Sequence, residues 1–509
     1  MADGLRLERV RPEGAGVPPR SILKMTDALN RIGFTVNSMM IVKEGKVAFE
    51  VYYRPFAAGI NHHLASVSKS VTSTAVGFAV DEGLFKLDDR IVDLLPEFLD
   101  ATPHEFTAAM TVRHLLTMSG AFSVFKDPLT DDWTREFLNA APDRHPGATF
   151  TYDTSGTHTL CQIVQKFVGQ TVLEYLTPRL FEPLGIAGVE WEVSPTGVNR
   201  GGGGVRLTTE GMAKFGLLYL NGGIYNGRRV LPSGWAELAT AGHISSVTID
   251  GTYKPRYGFQ FWRIRDGGFG CMGMGGQIIA AFPDKNVVFV STANGLQHNY
   301  DYFALDYFCE FVLPEIAGGP AHFDDESYGK LMDFCENAEV FMPEGVMTNP
   351  TAEKISNMYF DVRENPGGYT GFKVCFGDNS GALTLYRNDS EEVIKFGMGY
   401  HAAGVLPWQK AVKDFQFFGK FSIAGEPDGW LRFRCGSAAV WVDEQTLVIK
   451  SHMTEQLQSF VITCHFGEKS VALHILPTGV FGYKWLPLTL THVRPDARCE
   501  LPVNRGRLP

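Results

Sequence analysis

Ser66-Val67-Ser68-Lys69, continued by Ser70-Val71-Thr72-Ser73-Thr74-Ala75-Val76-Gly77, is the stretch that decides the fold of this 509-residue chain. Residues 66 to 82 carry helical periodicity, with Val67, Val71, Ala75 and Phe78 on one stripe and Gly83 past the end. Residues three apart on a helix share a face, so the Lys69 amine can reach the Ser66 hydroxyl. Lysine is a base only when neutral; burial and the positive end of a helix dipole both lower its pKa. The same helix end offers backbone N–H groups to a developing oxyanion. Spacing alone does not single out Ser66, because Ser21-Ile-Leu-Lys24 and Ser327-Tyr-Gly-Lys330 share it. Those two read as a helix cap and a surface helix. The small residues after Ser66 set it apart, since they fit a helix enclosed by other elements.

Two further segments carry chemistry. In Pro146-Gly-Ala-Thr-Phe-Thr-Tyr152-Asp-Thr154-Ser-Gly, the tyrosine precedes an amphipathic helix marked by Leu160, Ile163, Val164, Phe167 and Val168 and closed by Gly169. An isolated tyrosine is usually a packing residue. Beside a lysine, its phenol can shuttle a proton between nucleophile and leaving group. Gly270-Cys271-Met272-Gly273-Met274-Gly275-Gly276-Gln277 runs straight into a strand. Its glycines permit close approach of a ligand to an edge strand's backbone, against the competing reading of a plain loop.

Around these segments, residues 39 to 53 read as a hairpin turning at Glu44-Gly45, and Thr171 with Glu174 as a capping box. Met212, Phe215, Gly216 and Tyr219 mark another helix ending near Gly222. Residues 278–282 and 287–292 read as strands. The character changes near residues 315 to 325. After a helical stretch from Tyr328 to Cys335 come short strands: Phe372 to Cys375, Ala382 to Tyr386, Trp430 to Arg434, Thr446 to Lys450 and Phe460 to Cys464. Turn signals at Asp378-Asn-Ser-Gly and Glu426-Pro-Asp-Gly separate them. The expectation is a domain over 1–318, a linker with a short helix over 319–340, and an antiparallel β barrel or sandwich over 341–509.

Composition bounds the function. Hydrophobic residues make up 44% and charged residues 20%, a globular balance, and the net charge of -10 without a basic cluster repels phosphate backbones. Nucleic-acid binding is therefore not expected. No run approaches the roughly 18 apolar residues of a membrane helix. The first residues are charged where a signal peptide is apolar, so a cytoplasmic protein is expected. The eight cysteines are scattered and read as free thiols, with no metal, cofactor or disulfide framework implied.

Taken in order, these segments resemble the serine β-lactamase, penicillin-binding-protein and esterase superfamily, whose motifs are S-x-x-K, Y-x-N and K-T-G or H-x-G. Thr111-Val-Arg-His-Leu-Leu-Thr-Met-Ser-Gly120, Leu180-Phe-Glu-Pro-Leu-Gly-Ile186, Gly201-Gly-Gly-Gly-Val-Arg-Leu-Thr-Thr-Glu210 and Tyr257-Gly-Phe-Gln-Phe-Trp262 extend the likeness over roughly residues 15 to 315. It is greatest to the class C-like branch with carboxylesterases and 6-aminohexanoate-dimer hydrolases. The resemblance implies an α/β (α+β) sandwich, with an antiparallel sheet flanked by helices, a helical subdomain, and the site between them. It implies Ser66 as nucleophile, Lys69 and Tyr152 as proton carriers, and the backbone N–H groups of Ser66 and Met274 as an oxyanion hole. Thr154, Cys271, Met272 and Gly273 would meet the substrate.

Two positions depart from the pattern. Thr154 stands where asparagine is usual, and Cys271 where lysine or histidine is usual. A neutral thiol cannot pair with a substrate carboxylate as an ammonium does; Arg200 or Arg206 could supply that charge. His62 and His63 precede the nucleophile, but adjacent strand residues point opposite ways, so at most one faces the site. Asp131, Asp132 and Trp133 are candidates for a loop over the cleft, and Met272 and Met274 for an apolar wall. The expected function is hydrolysis of a small-molecule ester or amide through an acyl-enzyme on Ser66. The alternatives are a β-lactamase or D,D-peptidase, and a non-catalytic binding protein acting through its β domain. Oligomeric state is not legible.

Overall fold

Val36–Lys43 (β1) and Lys46–Tyr52 (β2) form the expected hairpin. Its turn residues Glu44 and Gly45 both take positive φ, 53° and 78°, which glycine adopts without steric cost. The computed structural model describes residues 6–122, 130–247, 253–295, 302–365, 367–409, 430–468, 470–478 and 488–493. Contacts divide the chain into two units, one reaching Val340 and the other beginning at Phe341.

In the first unit the chain continues through His62–His63 (β3), Glu190–Trp191 (β4), Val205–Leu207 (β5), the hairpin Ile224–Tyr225 (β6) and Arg228–Arg229 (β7), then Ile244–Val247 (β8), Tyr253–Tyr257 (β9), Trp262–Arg263 (β10), Phe269–Gly273 (β11), Gln277–Phe282 (β12) and Val287–Ala293 (β13). Eight of these strands make one antiparallel sheet in the order β2-β1-β13-β12-β11-β10-β9-β8. Its central strands are buried along their whole length because both faces are covered. Met40, Val42, Ile279 and Ala281 enter one apolar core, with Val71 and Ala75 of the helix that follows Ser66. Met39, Ile41, Ile278 and Phe282 enter the other, with Ile22, Met25 and Leu29 of the helix Pro19–Arg31.

The helix foreseen from residue 66 begins as a 3-10 turn over Ala65–Val67 and becomes α-helical over Ser68–Asp81. Ser68 through Ala79 are all buried, as the run of small residues implied. Thr72 donates to the Gly201 carbonyl (2.8 Å), Ser70 to that of Gln260 (2.6 Å), and Thr74 shares a 2.7 Å bond with the Tyr219 hydroxyl. A second helix, Thr154–Val168, crosses it and ends on Gly169 at φ 68°. Ser21 and Ser327 sit on other helices: Ser21 donates to Pro18, and Lys330 pairs with Glu326 at the surface.

The second unit holds Tyr359–Asp361 (β14), Gly371–Phe376 (β15), Ser380–Tyr386 (β16), Glu391–Met398 (β17), Ala402–Gln409 (β18), Trp430–Trp441 (β19), Thr446–Met453 (β20), Ser459–Phe466 (β21), Ser470–Thr478 (β22) and Leu488–Val493 (β23). They form one sheet, β14-β15-β16-β17-β19-β20-β21-β22-β23, with β18 also on β19. The Arg363 N–H donates to the Thr491 carbonyl (3.1 Å), which joins the two ends of the sheet as in a barrel. One pairing is parallel, β17 with β19 at Gly397↔Ala438. The turn expected at Glu426–Gly429 and Cys499 lie outside the described residues. Among the described residues no helix is long and apolar enough to cross a membrane.

Candidate active site

Ser66 sits on the 3-10 turn between β3 and the enclosed helix, half-buried. Ala65, just before it, holds a φ of 45°, an uncommon conformation for a residue with a Cβ. Lys69 is 1% exposed, with Nζ 3.1 Å from Ser66 Oγ and 2.8 Å from the Gly202 carbonyl oxygen. The same nitrogen stands 4.8 Å from the Tyr152 ring centroid. The Tyr152 ring stacks on Trp262 at 5.8 Å and 15°, and its phenol interacts with the Ser66 side chain. Three residues from two distant segments thus converge. Asp153 accepts from the Ser155 and Gly156 N–H groups (2.9 and 3.1 Å), which starts the helix at Thr154 and fixes Tyr152 at its mouth.

Burial drives the electrostatics. It pushes the Lys69 amine down to about 7; Arg200 adds to this, while Asp153 opposes it. Burial raises Tyr152 well above the ordinary phenol range, with the Ser66 bond opposing, and lifts Asp153 to about 6 against its two backbone donors and Lys69. Near neutral pH a sizeable share of Lys69 is an amine. In that form one N–H serves Gly202 and the lone pair is left for the Ser66 proton.

β11 ends against the turn that carries Ser66. A Cβ on Gly273 would overlap the Leu64 carbonyl and come within 3.2 Å of the Ser66 nitrogen. Only glycine permits this approach, which brings the strand end carrying Met274 beside the Ser66 amide. Thr154, half-buried, packs its methyl group on Gly202, whose own Cβ position lies 3.2 Å from Lys69 Nζ.

Other expectations are corrected. Cys271 does not face a substrate: it is 2% exposed and shares the core with Phe215, Tyr219 and Ile279. Burial pushes its thiol up to about 12. Met272 points to the opposite core, among Tyr257, Trp262 and Ile278, and packs there rather than on a ligand. β11 is covered on both faces, so only its C-terminal end reaches the turn. Arg200 and Arg206 are paired with the buried Glu192. His62 and His63 do point apart: His62 stacks on Phe56 and burial brings it down to about 4, while His63 approaches Glu192. Asp132 caps the helix Trp133–Asn139 and Trp133 is buried against His158, so neither forms a loop over the cleft; Asp131 is exposed.

Sequence reasoning missed three participants. The Gly202 carbonyl had a signal in the run Gly201 to Gly204. Asp153 had one in its N-cap position. Gln260, at φ 65° with its side-chain amide donating to the Leu115 and Leu116 carbonyls (2.9 and 3.1 Å), had one only as part of the segment Tyr257 to Trp262. Among the described residues no group of three or more His, Cys, Asp or Glu side chains could hold a metal ion.

A family model described as Beta-lactamase matches residues 28–308, more than half of the chain. The 6-aminohexanoate-dimer hydrolase of Paenarthrobacter ureafaciens is 27% identical over 247 residues, covering 45% of this chain and 63% of that protein. The chain thus spans less than two thirds of that relative's length. Penicillin-binding protein 4 of Amycolatopsis lactamdurans is 33% identical over 129 residues, 24% of this chain and 33% of that one. A solved structure of an octameric penicillin-binding protein homologue from Pyrococcus abyssi aligns with 93% of this chain and 99% of its own, at 14% identity and a TM-score of 0.45.

Proposed function

The chain belongs to the β-lactamase family, and we propose that it is a serine hydrolase cleaving carboxylic esters or small amides through an acyl-enzyme on Ser66. The observation that carries this reading is the Lys69 amine, lowered to about 7 and 3.1 Å from Ser66 Oγ. Neutral Lys69 takes the Ser66 proton as Oγ attacks the carbonyl carbon. The Ser66 and Met274 amides receive the oxyanion. Tyr152, protonated at rest, gives its proton to the departing alkoxide or amine as the C–O or C–N bond breaks, and recovers it from the Lys69 ammonium. Water, deprotonated by neutral Lys69, then attacks the acyl carbon, and as the C–O bond to Ser66 breaks the Lys69 ammonium returns that proton to Oγ, releasing Ser66 and the carboxylic acid.

Arg200 and Arg206 are committed to Glu192, so a carboxylate-bearing substrate finds neither guanidinium unengaged. This favours neutral esters and amides over substrates with a carboxylate near the scissile bond. We also place the protein in the cytoplasm, where its seven described cysteines, all free, would stay reduced. The deciding experiment is labelling with a fluorophosphonate, followed by peptide mass analysis. One adduct per chain on Ser66 is expected. An unlabelled Ser66 would leave a non-catalytic protein as the better account, and fast turnover of a chromogenic cephalosporin would make it a β-lactamase.

A further inference from the structure

Beneath the nucleophile turn lies a buried charge cluster that acyl transfer does not use. Glu192, 1% exposed, follows β4 and meets Arg200 Nη1, Arg206 Nη2 at 2.9 Å and His63 Nε2 at 3.5 Å. Arg206 also reaches Glu190 (3.1 Å). Burial alone would raise the Glu192 carboxyl, but Arg200, His63 and Arg206 together hold it far below the ordinary range. It is an anion. His63 is lowered chiefly by burial, with Glu192 opposing and the arginines reinforcing.

A neutral imidazole has one donor and one acceptor. The Ala65 N–H points at His63 Nδ1 (3.1 Å), so Nδ1 accepts and the Nε2–H faces Glu192. Ala65 is the residue at φ 45°, and its carbonyl accepts from Ser68 Oγ at 2.7 Å. A non-glycine residue persists in that region only when its surroundings hold it. Glu192 braces the Lys69 side of the site as well. The Arg200 N–H donates to its carbonyl (2.8 Å), and its N–H donates to the Gly204 carbonyl (3.1 Å). Between those two anchors lies Gly202, the partner of Lys69.

We propose that His63, in its Nε2–H form and anchored by Glu192, is a positioning residue that holds Ala65 in the left-handed conformation and thereby aims Ser66. The assignment rests on Ser66 being the nucleophile. Its effect falls on the rate of acylation, since His63 acts through Ala65.

The test compares His63→Ala, His63→Asn and His63→Gln in the full chain. Asn places Oδ1 where Nδ1 stands and can accept from Ala65; Gln reaches toward Glu192 but leaves that N–H without its acceptor. Fluorophosphonate labelling of Ser66 and kcat on a nitrophenyl ester should fall about 10- to 100-fold for Ala and Gln, with KM little changed and Asn close to wild type. Equal rates across the three variants, or losses that follow Tm instead of the Asn/Gln split, would overturn the proposal. The 15N shifts of the His63 ring give a readout independent of activity: Nδ1 bare and Nε2 protonated at neutral pH. The opposite tautomer, or a doubly protonated ring, would also overturn it. If that tautomer is found while wild-type Ser66 stays unlabelled, the nucleophile assignment fails and the hold of His63 on Ala65 stands.

Discussion

The Gly202 carbonyl accepts a 2.8 Å hydrogen bond from Lys69 Nζ, while the bare Cα of Gly202 makes room for the Thr154 methyl group. Close approach and chemistry are therefore coupled at one residue. In Gly202→Ala the new Cβ would overlap Thr154 Cγ2, so the loop must move and carry the carbonyl off Lys69. Overpacking of this kind costs about 1–3 kcal/mol, and ester kcat/KM should fall about 100-fold. Thr154→Ser removes the methyl, so Gly202→Ala/Thr154→Ser should regain much of the loss. A double variant no better than Gly202→Ala would show that the clash is not the cause.

Lys69 ties activity and stability to pH. Its amine is lowered from an ordinary 10.5 to about 7 in the folded protein. Below about 7 it is protonated in both folded and unfolded states, and above 10.5 it is neutral in both. Between these values the unfolded chain binds more protons, so the Lys69 contribution to stability rises with pH across this window. Acylation kcat/KM should rise through an apparent pKa near 7, as the base loses its proton. Lys69→Met should raise Tm more at pH 6 than at pH 10, because it removes a buried ammonium at the former. A flat rate profile across neutral pH would argue against Lys69 as the base.

Lys69 hydrogen-bonds Ser66 Oγ and Tyr152 interacts with the same side chain, so their losses should not add. Ser66→Ala, Lys69→Ala and Tyr152→Phe should each lower kcat by about 10,000-fold or more, as seen when members of a catalytic unit are removed. The Lys69→Ala/Tyr152→Phe double variant should be little worse than either single. Fully multiplicative losses in single-turnover acylation would place the two residues in different steps.

Cys271 offers a test of the strand's orientation. Its burial among Phe215, Tyr219 and Ile279 removes the role that its place in the sequence suggested. Iodoacetamide should leave it unmodified in the folded protein, since the thiol is both enclosed and raised to about 12. Cys271→Ala should keep near wild-type kcat, whereas Cys271→Lys should lower Tm sharply by burying an ammonium without a partner. A stable lysine variant with new preference for anionic esters would restore the sequence-based expectation.

What was legible follows from local chemistry. The Glu44-Gly45 turn, the Thr171/Glu174 capping box and the Gly169 helix stop each need only a few neighbouring residues, and each is present. The enclosed helix was legible because Ser70, Thr72 and Gly77 have little reason to occupy an exposed one. The facing of Cys271 was not, because a strand buried on both sides shows no alternation to read. Neither was the Glu192 cluster: β3, β4 and β5 pair His63 with Arg206 and Glu190 with Arg206 across long sequence gaps, and no periodicity marks that meeting. Trp430–Arg434 proved to be only the start of a strand running to Trp441, since pairing with β18 and β20 carries it through Gly436 and Ser437.

Gly273 separates positioning of the oxyanion site from the proton chemistry. A methyl group there would overlap the Leu64 carbonyl, a backbone atom that cannot swing aside, and crowd the Ser66 nitrogen at 3.2 Å. Gly273→Ala should therefore push the end of β11 away from the nucleophile turn and withdraw the Met274 N–H, leaving Ser66, Lys69 and Tyr152 in place. Loss of one oxyanion donor costs about 100- to 1,000-fold in kcat. The pH dependence of the residual activity should keep its apparent pKa near 7, because Lys69 is untouched. In Gly202→Ala, by contrast, the displaced carbonyl should move that pKa. A Gly273→Ala enzyme with full kcat, or one whose pKa shifts as far as that of Gly202→Ala, would mean that the β11 end does not supply the second donor.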